Sequence, residues 1–462
     1  IPLRLVGSEM CIRDRLRTPL SIRKLFAAAI FGFASVIALA ADKPVSKVVV
    51  MTSYPEEVVS RFEAAFEKAH PGTRVEILWR RSGDALSYLR KPNQGNVDVY
   101  WTPAQRNFQI LAQEGAFRRP ELDMTGLPAK VGGFPISDPA GFYLASEIAA
   151  YGLAINPQRL QDKKLAAPKQ WTDLTGPEWK DEIVFPVPGK VGFAPILTDI
   201  ILQGYGWDKG WALLQAIGSN AHLLGQGGAN ISDDVRNGKA SVGVSIDFFI
   251  KSAIANGAPL QFVYPGITGY SPAHVGIMKG AANLTAARAF AAFVLSDEGQ
   301  KILFHHDIRK LPVRPAVYAN KPAGYYDPFE AAKAMPFVFD TERALARQGL
   351  NNTLYDVLIS NEHARLRQAN DKVIQAEHAA NTAALKARAA QARSLLDTVP
   401  VSEAEANMLA PQFVFAFDET TDAHRKDAIT AQWTTRIRQN RERAEQLAQE
   451  VLNASGKQAG TQ

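Results

Sequence analysis

The chain has 462 residues, 46% hydrophobic and 21% charged, and this balance excludes a chain that is disordered throughout. The formal net charge is +6, but residues 1 to 40 hold six basic and two acidic residues, which leaves 46 basic and 44 acidic residues elsewhere. No basic stripe interleaved with aromatic residues follows, so we predict no nucleic-acid partner.

The first 40 residues are predicted to be absent from the mature protein. Residues 1 to 15, which include the only cysteine, resemble translated sequencing-adapter read-through, and we interpret them as an artefact. Residues 16 to 40 place basic residues before an apolar run and end in Ala38-Leu39-Ala40, the order of a secretory signal peptide. The run from Leu25 to Leu39 is shorter than the roughly 20 residues that span a membrane. We expect cleavage after Ala40 and a soluble periplasmic protein, because no cysteine follows to carry a lipid.

Residues 41 to 145 are predicted to form the first part of one lobe. Three strand-to-helix units follow one another here, with strands at 48 to 53, 74 to 80 and 97 to 101. Strands that alternate with helices in this way indicate a parallel sheet with helices on its faces. The fold class is therefore α/β.

A second α/β pattern predicts another lobe over residues 146 to 270. It contains a helical region from Ile196 to Ile217, broken near Gly204, and apolar strands at 181 to 188, 241 to 246 and 260 to 264. Two glycine-rich loops, at 186 to 192 and 225 to 230, lie between these elements.

The chain is then predicted to return to the first lobe over residues 271 to 345. A strand at 273 to 280 precedes two helices with apolar faces. We expect strands near 142 to 156 and 265 to 275 to cross between the two lobes.

Residues 346 to 462 are predicted to form a helical extension. Apolar or small residues follow a heptad pattern from Ile359 to Ala390, and a second helix runs from about Ala423 to Leu452. The second helix has one apolar stripe with its charges away from that stripe. We interpret the pair as a helical hairpin packed on itself or on the core, rather than a coiled coil that binds a partner.

The sequence lacks the motifs of the common catalytic and cofactor sites. Gly189-Lys190 fails the phosphate-loop pattern because Val184 and Val191 stand where glycine and a hydroxyl residue are required. Ser245 lacks the following glycine of a nucleophile elbow, and His305-His306 are expected to point opposite ways on a helix, while the other six histidines are scattered singly. We therefore predict no enzyme, no cofactor and no metal site.

Polar residues follow the predicted strands of the first lobe. They are Ser53 and Tyr54, then Arg81, Ser82 and Gly83, and finally Thr102. We expect Ser53 to cap the first helix, the loop Ser82-Gly83-Asp84 to supply the cap of the second, and Thr102-Pro103 to open the third. Loops at the carboxyl ends of parallel strands meet in a crevice, where helix N-termini favour an anion. Together these residues predict a binding site.

Several longer segments carry a specific resemblance. The run from Val48 to Phe117, the segment WTDLTGPEWKDEIVFPVP at 171 to 188, and the stretch from 263 to 303 followed by LPVRPAV resemble a family 1 extracellular solute-binding protein of an ABC importer. The resemblance covers about residues 45 to 320. It implies the type II periplasmic binding protein fold, in which ligand binds between two lobes and closes them, and it implies an inner-membrane ABC permease as partner.

Within that family, the sequence resembles the branch that binds ferric iron, aminoethylphosphonate or phosphoglycerate. Asp247-Phe248-Phe249 stands where the iron binders have an adjacent tyrosine pair, and phenylalanine has no oxygen to bind a hard cation. The resemblance therefore favours a small anion with a phosphate or phosphonate group. The predicted ligand-binding residues are Ser53, Tyr54, Arg81, Ser82, Gly83, Thr102, Lys190, Asn230, Asp247 and Phe248.

Three alternatives stay open at this point. In the first, the protein binds ferric iron, with Tyr54 or Tyr270 in place of the missing tyrosine pair. In the second, it is a sensory adaptor whose helical extension docks on a membrane sensor. A hydrolase is the least supported of the three.

We expect one of Phe248 and Phe249 to face the cleft and the other to face the core, because side chains alternate on an extended segment.

Overall fold

The computed structural model describes residues 46–225, 228, 230–334, 337–413 and 423–459. The described residues all belong to one compact unit. The predicted artefact and signal peptide lie outside the described residues. The predicted lobe boundaries stay predictions.

Strands β1 to β4 and β7 to β12 share one mixed sheet, and β5 and β6 form a separate hairpin. The order across the sheet is β2-β1-β3-β12-β7-β10-β8-β9, while β4 pairs with β12 and β11 pairs with β7. The strands are β1 (Ser46–Thr52), β2 (Thr73–Trp79), β3 (Val99–Thr102), β4 (Phe117–Arg118), β5 (Lys130–Val131), β6 (Phe134–Pro135), β7 (Tyr143–Ile155), β8 (Ile183–Pro186), β9 (Ala221–Leu224), β10 (Val242–Ile246), β11 (Gln261–Val263) and β12 (Tyr270–Met278).

Helices cover the sheet, and five of those in the described residues lie beyond residue 340. The helices are α1 (Glu56–Ala69), α2 (Ser82–Leu89), α3 (Gln105–Gln113), α4 (Pro157–Lys163), α5 (Ala194–Tyr205), α6 (Trp207–Asn220), α7 (Asn230–Arg236), α8 (Asp247–Ala255), α9 (Leu284–Leu295), α10 (Asp297–Ile302), α11 (Pro328–Lys333), α12 (Thr341–Tyr355), α13 (His363–Ala379), α14 (Ala383–Asp397), α15 (Glu403–Leu409) and α16 (Ala423–Ala459).

The first sheet region is parallel, as the strand-to-helix pattern predicts. Strand β1 pairs in parallel with both β2 and β3. Val58, Val59, Phe62 and Phe66 of α1 are buried, because their spacing by threes and fours puts them on one face of the helix. These side chains join the large core cluster.

Two long strands connect the two halves of the sheet. Strand β7 is buried along all 13 residues. Its first part pairs antiparallel with β12, and its last residues pair with β10 and β11. These strands correspond to the predicted crossing segments, although β12 begins five residues later than the predicted segment.

The helical region of the second half breaks at Gly206, two residues after the predicted break. Gly206 has φ 85°, a left-handed value that glycine adopts without a side-chain clash. Helix α5 ends before it and α6 begins after it, and both helices are largely buried.

The prediction of one continuous heptad helix from Ile359 to Ala390 is wrong. Helix α13 ends at Ala379, and Thr382 caps a new helix by accepting a hydrogen bond from the Leu385 amide. Helix α16 packs against both α13 and α14, and α13 also packs against α6. The extension therefore packs on itself and on the rest of the protein. In the described part of the chain, no helix is both long and apolar enough to cross a membrane.

Candidate functional site

A cleft of about 600 Å³ opens beside the crossing strands. Its floor comes from β7 and β12, including Glu147, Tyr151 and Ser271. Its walls come from four segments: the start of α3, the loop from β8 into α5, the start of α8, and the middle of α12. The type II fold places ligand in such a cleft, so we take this cavity as the candidate site.

The first wall is the N-terminal end of α3. Pro103, Ala104, Gln105 and Arg106 line the cleft here. The preceding strand fixes this turn, because Thr102 is fully buried. Arg106 is exposed and supplies a positive charge at the cleft surface.

The second wall is the loop that leads into α5. It runs from Pro188 to Phe193 along the cleft, and Lys190 is exposed within it. The side chain of Lys190 forms no hydrogen bond or ion pair within the described residues. A lysine without a protein partner at the cleft surface is available to an anion.

The third wall is the first turn of α8. The expectation that Phe248 and Phe249 lie on an extended segment is wrong, because α8 begins at Asp247 directly after β10. Both rings are half-buried and both line the cleft, with their centroids 4.1 Å apart. The two phenylalanines therefore form one apolar patch on the wall, instead of one facing inward and one outward.

A buried ion pair supports the floor of the cleft. Lys310 and Glu147 bind each other, and both side chains are 3% exposed. The Lys310 ammonium also lies 4.0 Å from the centroid of the Phe248 ring, a cation–π contact. Burial raises the pKa of Glu147, an effect that the attraction of Lys310 opposes. The pair fixes Phe248 from behind.

Asp247 is 1% exposed and lies behind the phenylalanine patch. It accepts a hydrogen bond from the Tyr264 hydroxyl, at 3.0 Å. Burial raises the pKa of Asp247 to about 6, although Lys251, the Ala150 amide and the Tyr264 hydroxyl each act to lower it. A group so enclosed supports the wall and does not itself face a ligand.

The fourth wall comes from α12, most of which lies in the predicted helical extension. Leu345, Gln348 and Asn352 of α12 line the cleft. Asn352 is 7% exposed, and its Cβ lies 4.0 Å from the position that a Cβ on Gly189 would take. The extension therefore meets the lysine-bearing loop at the cleft.

Ser53, Tyr54, Arg81, Gly83 and Thr102 do not line this cavity. Ser53 and Thr102 share a hydrogen bond between their hydroxyl groups. The prediction that Ser53 caps the first helix is wrong, because Pro55 occupies the N-cap position, and α2 already begins at Ser82, inside the loop predicted to cap it. Ala104 rather than Thr102 precedes α3.

The remaining predicted residues lie in several different places. Tyr54 is buried, with its ring centroid 4.7 Å from that of Trp101. Arg81 is exposed at the N-cap of α2, Gly83 is exposed in the first turn of α2, and Asn230 is exposed at the start of α7. Among the predicted residues whose side chains the structure describes, Lys190 and Phe248 line the cleft.

The sequence reasoning missed several residues that line the cavity. Arg106 could have been predicted, because it lies one helical turn after the predicted Thr102-Pro103 turn. Glu147 and Tyr151 lie on a strand that is buried along its whole length, so no alternation in the sequence distinguished their side of the sheet. Gln348 and Asn352 lie beyond residues 109–334, which match the family model, and beyond the segments whose sequence carries the resemblance.

One cluster of metal-ligating residue types lies outside the cleft. His305, His306 and Asp307 bring three candidate ligand atoms within 4.8 Å of one another. Arg61 binds the Asp307 carboxylate, so a cation already occupies that group. This cluster gives no support to a metal site.

Comparison with known families gives a match over the middle of the chain. Residues 109–334 match the model of the bacterial extracellular solute-binding protein family. A relative in Salmonella typhimurium, the phosphoglycerate transport regulatory protein PgtC, is 27% identical over 342 residues, which is 73% of this chain and 82% of PgtC.

Solved structures of low sequence identity share the fold. The periplasmic binding protein AfuA from Actinobacillus pleuropneumoniae, bound to fructose-6-phosphate, has a TM-score of 0.54 and 22% identity, with 70% of this chain and 97% of AfuA covered. Iron-bound HitA from Pseudomonas aeruginosa has a TM-score of 0.54 and 17% identity, with 66% of this chain and 99% of HitA covered. The described fold is therefore that of the type II periplasmic binding proteins, with α13 to α16 added.

Proposed function

We propose, from the premise that this chain carries a bacterial extracellular solute-binding domain, that it captures a small organic phosphate or phosphonate in the periplasm. The ligand binds in the cleft between the two lobes and is passed to an inner-membrane ABC permease. The protein makes and breaks no covalent bond in this process. PgtC and AfuA, whose names include phosphoglycerate and fructose-6-phosphate, support an organic phosphate over other anions.

The observation that carries the proposal is the convergence of positive charge on one cavity. First-turn residues of α3, α5 and α8 line the cleft, and each N-terminus brings a positive partial charge. Arg106 and Lys190 add full charges from opposite walls. The phenylalanine patch excludes water beside them, which strengthens hydrogen bonds to a charged ligand.

The tyrosines of the iron alternative are placed unfavourably for a metal. Tyr54 is 2% exposed, and burial raises its pKa well above the ordinary value. Tyr270 is 3% exposed, and its hydroxyl hydrogen-bonds to the Tyr326 hydroxyl and to the Pro328 carbonyl oxygen. Because ferric iron needs accessible, deprotonated phenol oxygens, these contacts count against iron.

Titration calorimetry tests the proposed ligand class. We expect the wild-type protein to bind 3-phosphoglycerate or fructose 6-phosphate, and Lys190→Met to weaken that binding by about 10- to 100-fold, the usual loss for one charged hydrogen bond. Lys209→Met is the matched control, because Lys209 is an exposed lysine of α6 outside the cleft. Wild-type protein that binds ferric iron and neither phosphate would contradict the proposal.

The name of PgtC favours a second candidate function, regulation of transport. In that case the protein senses the ligand and signals through a membrane sensor. Cells without this protein, but with the permease expressed from a constitutive promoter, separate the two roles. If the protein is a transport component, these cells do not take up labelled 3-phosphoglycerate. If the protein acts only as a regulator, uptake continues in these cells.

A further inference from the structure

We propose that Gln348 and Asn352 of α12 determine ligand specificity by binding the hydroxyl groups of a hydroxylated organic phosphate. This inference rests on the proposed function and deepens it. It assigns part of the ligand site to the helical extension, outside residues 109–334 that match the family.

The spacing of α12 separates a cleft face from a packing face. Leu345, Gln348 and Asn352 are three and four residues apart, so they lie along one side of the helix and line the cavity together. Arg347 and Asn351 lie on another side and are each 1% exposed. The helix therefore has two polar faces with different surroundings.

The packing face is fixed to α5 by buried polar contacts. Arg347 donates from Nη2 to Asp199 Oδ1 at 2.9 Å, and Asn351 donates from Nδ2 to Asp199 Oδ2 at 2.7 Å. Arg347 also donates from Nη1 to Glu403 Oε1 at 2.8 Å. Both oxygens of Asp199 are thus used, and α12 is held at a set rotation.

A second contact fixes the beginning of α12. The Gln203 side chain of α5 donates to the Asp340 carbonyl oxygen at 3.0 Å and accepts from the Asp340 amide at 2.7 Å. Because α5 also begins at the cleft, α12 and the lysine-bearing loop are held against the same helix. The amides on the cleft face are pre-positioned, which reduces the entropy cost of binding.

The amides on the cleft face have no partners within the described residues. Asn352 Oδ1 is fully buried without a hydrogen bond, and the Gln348 side chain likewise forms none. Because Asn352 and Gln348 both line the cavity, a ligand group there can supply the hydrogen bonds that their amides lack. Gln348 is half-buried and faces the same space.

The chemistry of these amides selects the part of the ligand that they bind. An ionised phosphate only accepts hydrogen bonds, and the cations and helix N-termini of the other walls donate to it. A carboxamide both donates and accepts, as a hydroxyl does. Gln348 and Asn352 therefore match the hydroxylated carbon chain, while the opposite walls hold the phosphate.

The test replaces both amides by apolar residues of similar size. We expect the double variant Gln348→Met, Asn352→Leu to bind fructose 6-phosphate or 3-phosphoglycerate about 5- to 100-fold more weakly, the loss of two ordinary hydrogen bonds. Binding of methylphosphonate, which has no carbon hydroxyl, should change less than about twofold by the same reasoning. Gln375→Met, at an exposed glutamine of α13, is the control.

Each outcome of these titrations decides the proposal. Equal loss for methylphosphonate and the hydroxylated probes, or unchanged binding of all, would overturn the specificity role while leaving the anion proposal intact. Wild-type protein that binds no phosphate or phosphonate probe overturns both. If the double variant does not fold, as judged by its melting transition, Gln348→Met alone is used, because its half-buried site tolerates the change.

Discussion

The contact between α5 and α12 and the wall of the cleft both bury a carboxylate, but they stabilise it differently. Asp199 is 1% exposed and receives hydrogen bonds from Arg347 and Asn351 on its two oxygens. Asp247 is equally buried, yet it has no ion pair within 4 Å in the described part of the chain. The first carboxylate is fully paired, and the second bears the cost of burial.

The difference between the paired Asp199 and the unpaired Asp247 indicates different roles for the two regions. A fully paired buried charge fixes one arrangement of two helices, because removing either partner leaves an uncompensated charge. Unsatisfied buried atoms occur in both regions, at Asn352 Oδ1 beside the cleft and at Arg347 Nε and Asn351 Oδ1 in the contact, so the difference lies in the two carboxylates. The paired Asp199 anchors α12 on α5, whereas the unpaired Asp247 lies behind the wall of the cleft.

Breaking the anchor should produce the largest loss of stability. Arg347→Met removes the charged partner of buried Asp199 and leaves it only the neutral donors Asn351 and Gln203, and we expect the free energy of unfolding to fall by about 3–5 kcal/mol. Urea denaturation followed by circular dichroism measures this loss.

The neighbouring arginine of the same helix is the control for that experiment. Arg343 forms exposed ion pairs with Asp340 and Glu403, so Arg343→Met should cost less than about 1 kcal/mol. Equal losses in the two variants would mean that the buried pair is no stronger than a surface pair, and the comparison would fail.

Asp247 should make the stability depend on pH in the opposite sense from a paired carboxylate. Its pKa is about 6 in the folded protein, above the ordinary value of 3.8, so between pH 4 and 6 the folded state binds more protons than the unfolded state. Stability from this group therefore falls as pH rises through that window. A raise of about two pKa units corresponds to about 3 kcal/mol.

Asp247→Asn isolates that contribution. The variant cannot ionise at this position, so its stability relative to the wild type should increase by up to about 3 kcal/mol from pH 4 to pH 6.5 and stay constant above that. Urea denaturation at each pH measures the difference, in which the other titrating groups cancel. A constant difference across the range would show that the buried carboxyl keeps its ordinary pKa.

The sequence predicted the α/β body more completely than the extension. Val48, Val50 and the apolar face of α1 follow periods that identify a buried strand and an amphipathic helix. The heptad from Ile359 to Ala390 also has a clear period, but the cap at Thr382 divides it, and a cap is a local contact that the period does not record.

The candidate site was less predictable than the fold for a physical reason. The strand-end loops that the crevice argument selected, such as Ser53 and Arg81, do not line the cleft, whereas Lys190, chosen for its charge, and Phe248, chosen from the family resemblance, do. Gln348 and Asn352 reach the cleft because Asp199 and Arg347, 148 residues apart, pair in the folded protein. Sequence periodicity reports which residues share a face of one helix or strand, not which distant residues pair. The fourth wall therefore could not be predicted from periodicity.

Helix α12 also packs closely against the segment that ends at Phe413, and the contact is tightest at Gly349. A Cβ at this position would overlap the carbonyl oxygen of Phe413. We expect Gly349→Ala to destabilise the protein by about 1–2 kcal/mol, because the clash of overpacking exceeds the gain in helix propensity. The shift in the urea midpoint measures it. A stabilised variant would show that the segment around Phe413 does not press against α12.

The smallest expected effect tests the loop that the sequence placed in the ligand site. Gly83 lies inside α2, and a Cβ there would meet nothing within 4 Å. Gly83→Ala should therefore stabilise the protein by about 0.5–1 kcal/mol through helix propensity alone. Because Gly83 does not line the described cleft, the affinity for 3-phosphoglycerate should stay within about twofold of the wild type, whereas Lys190→Met lowers it. A large loss of affinity in Gly83→Ala, measured by calorimetry, would place α2 against the bound ligand and would extend the first wall beyond α3.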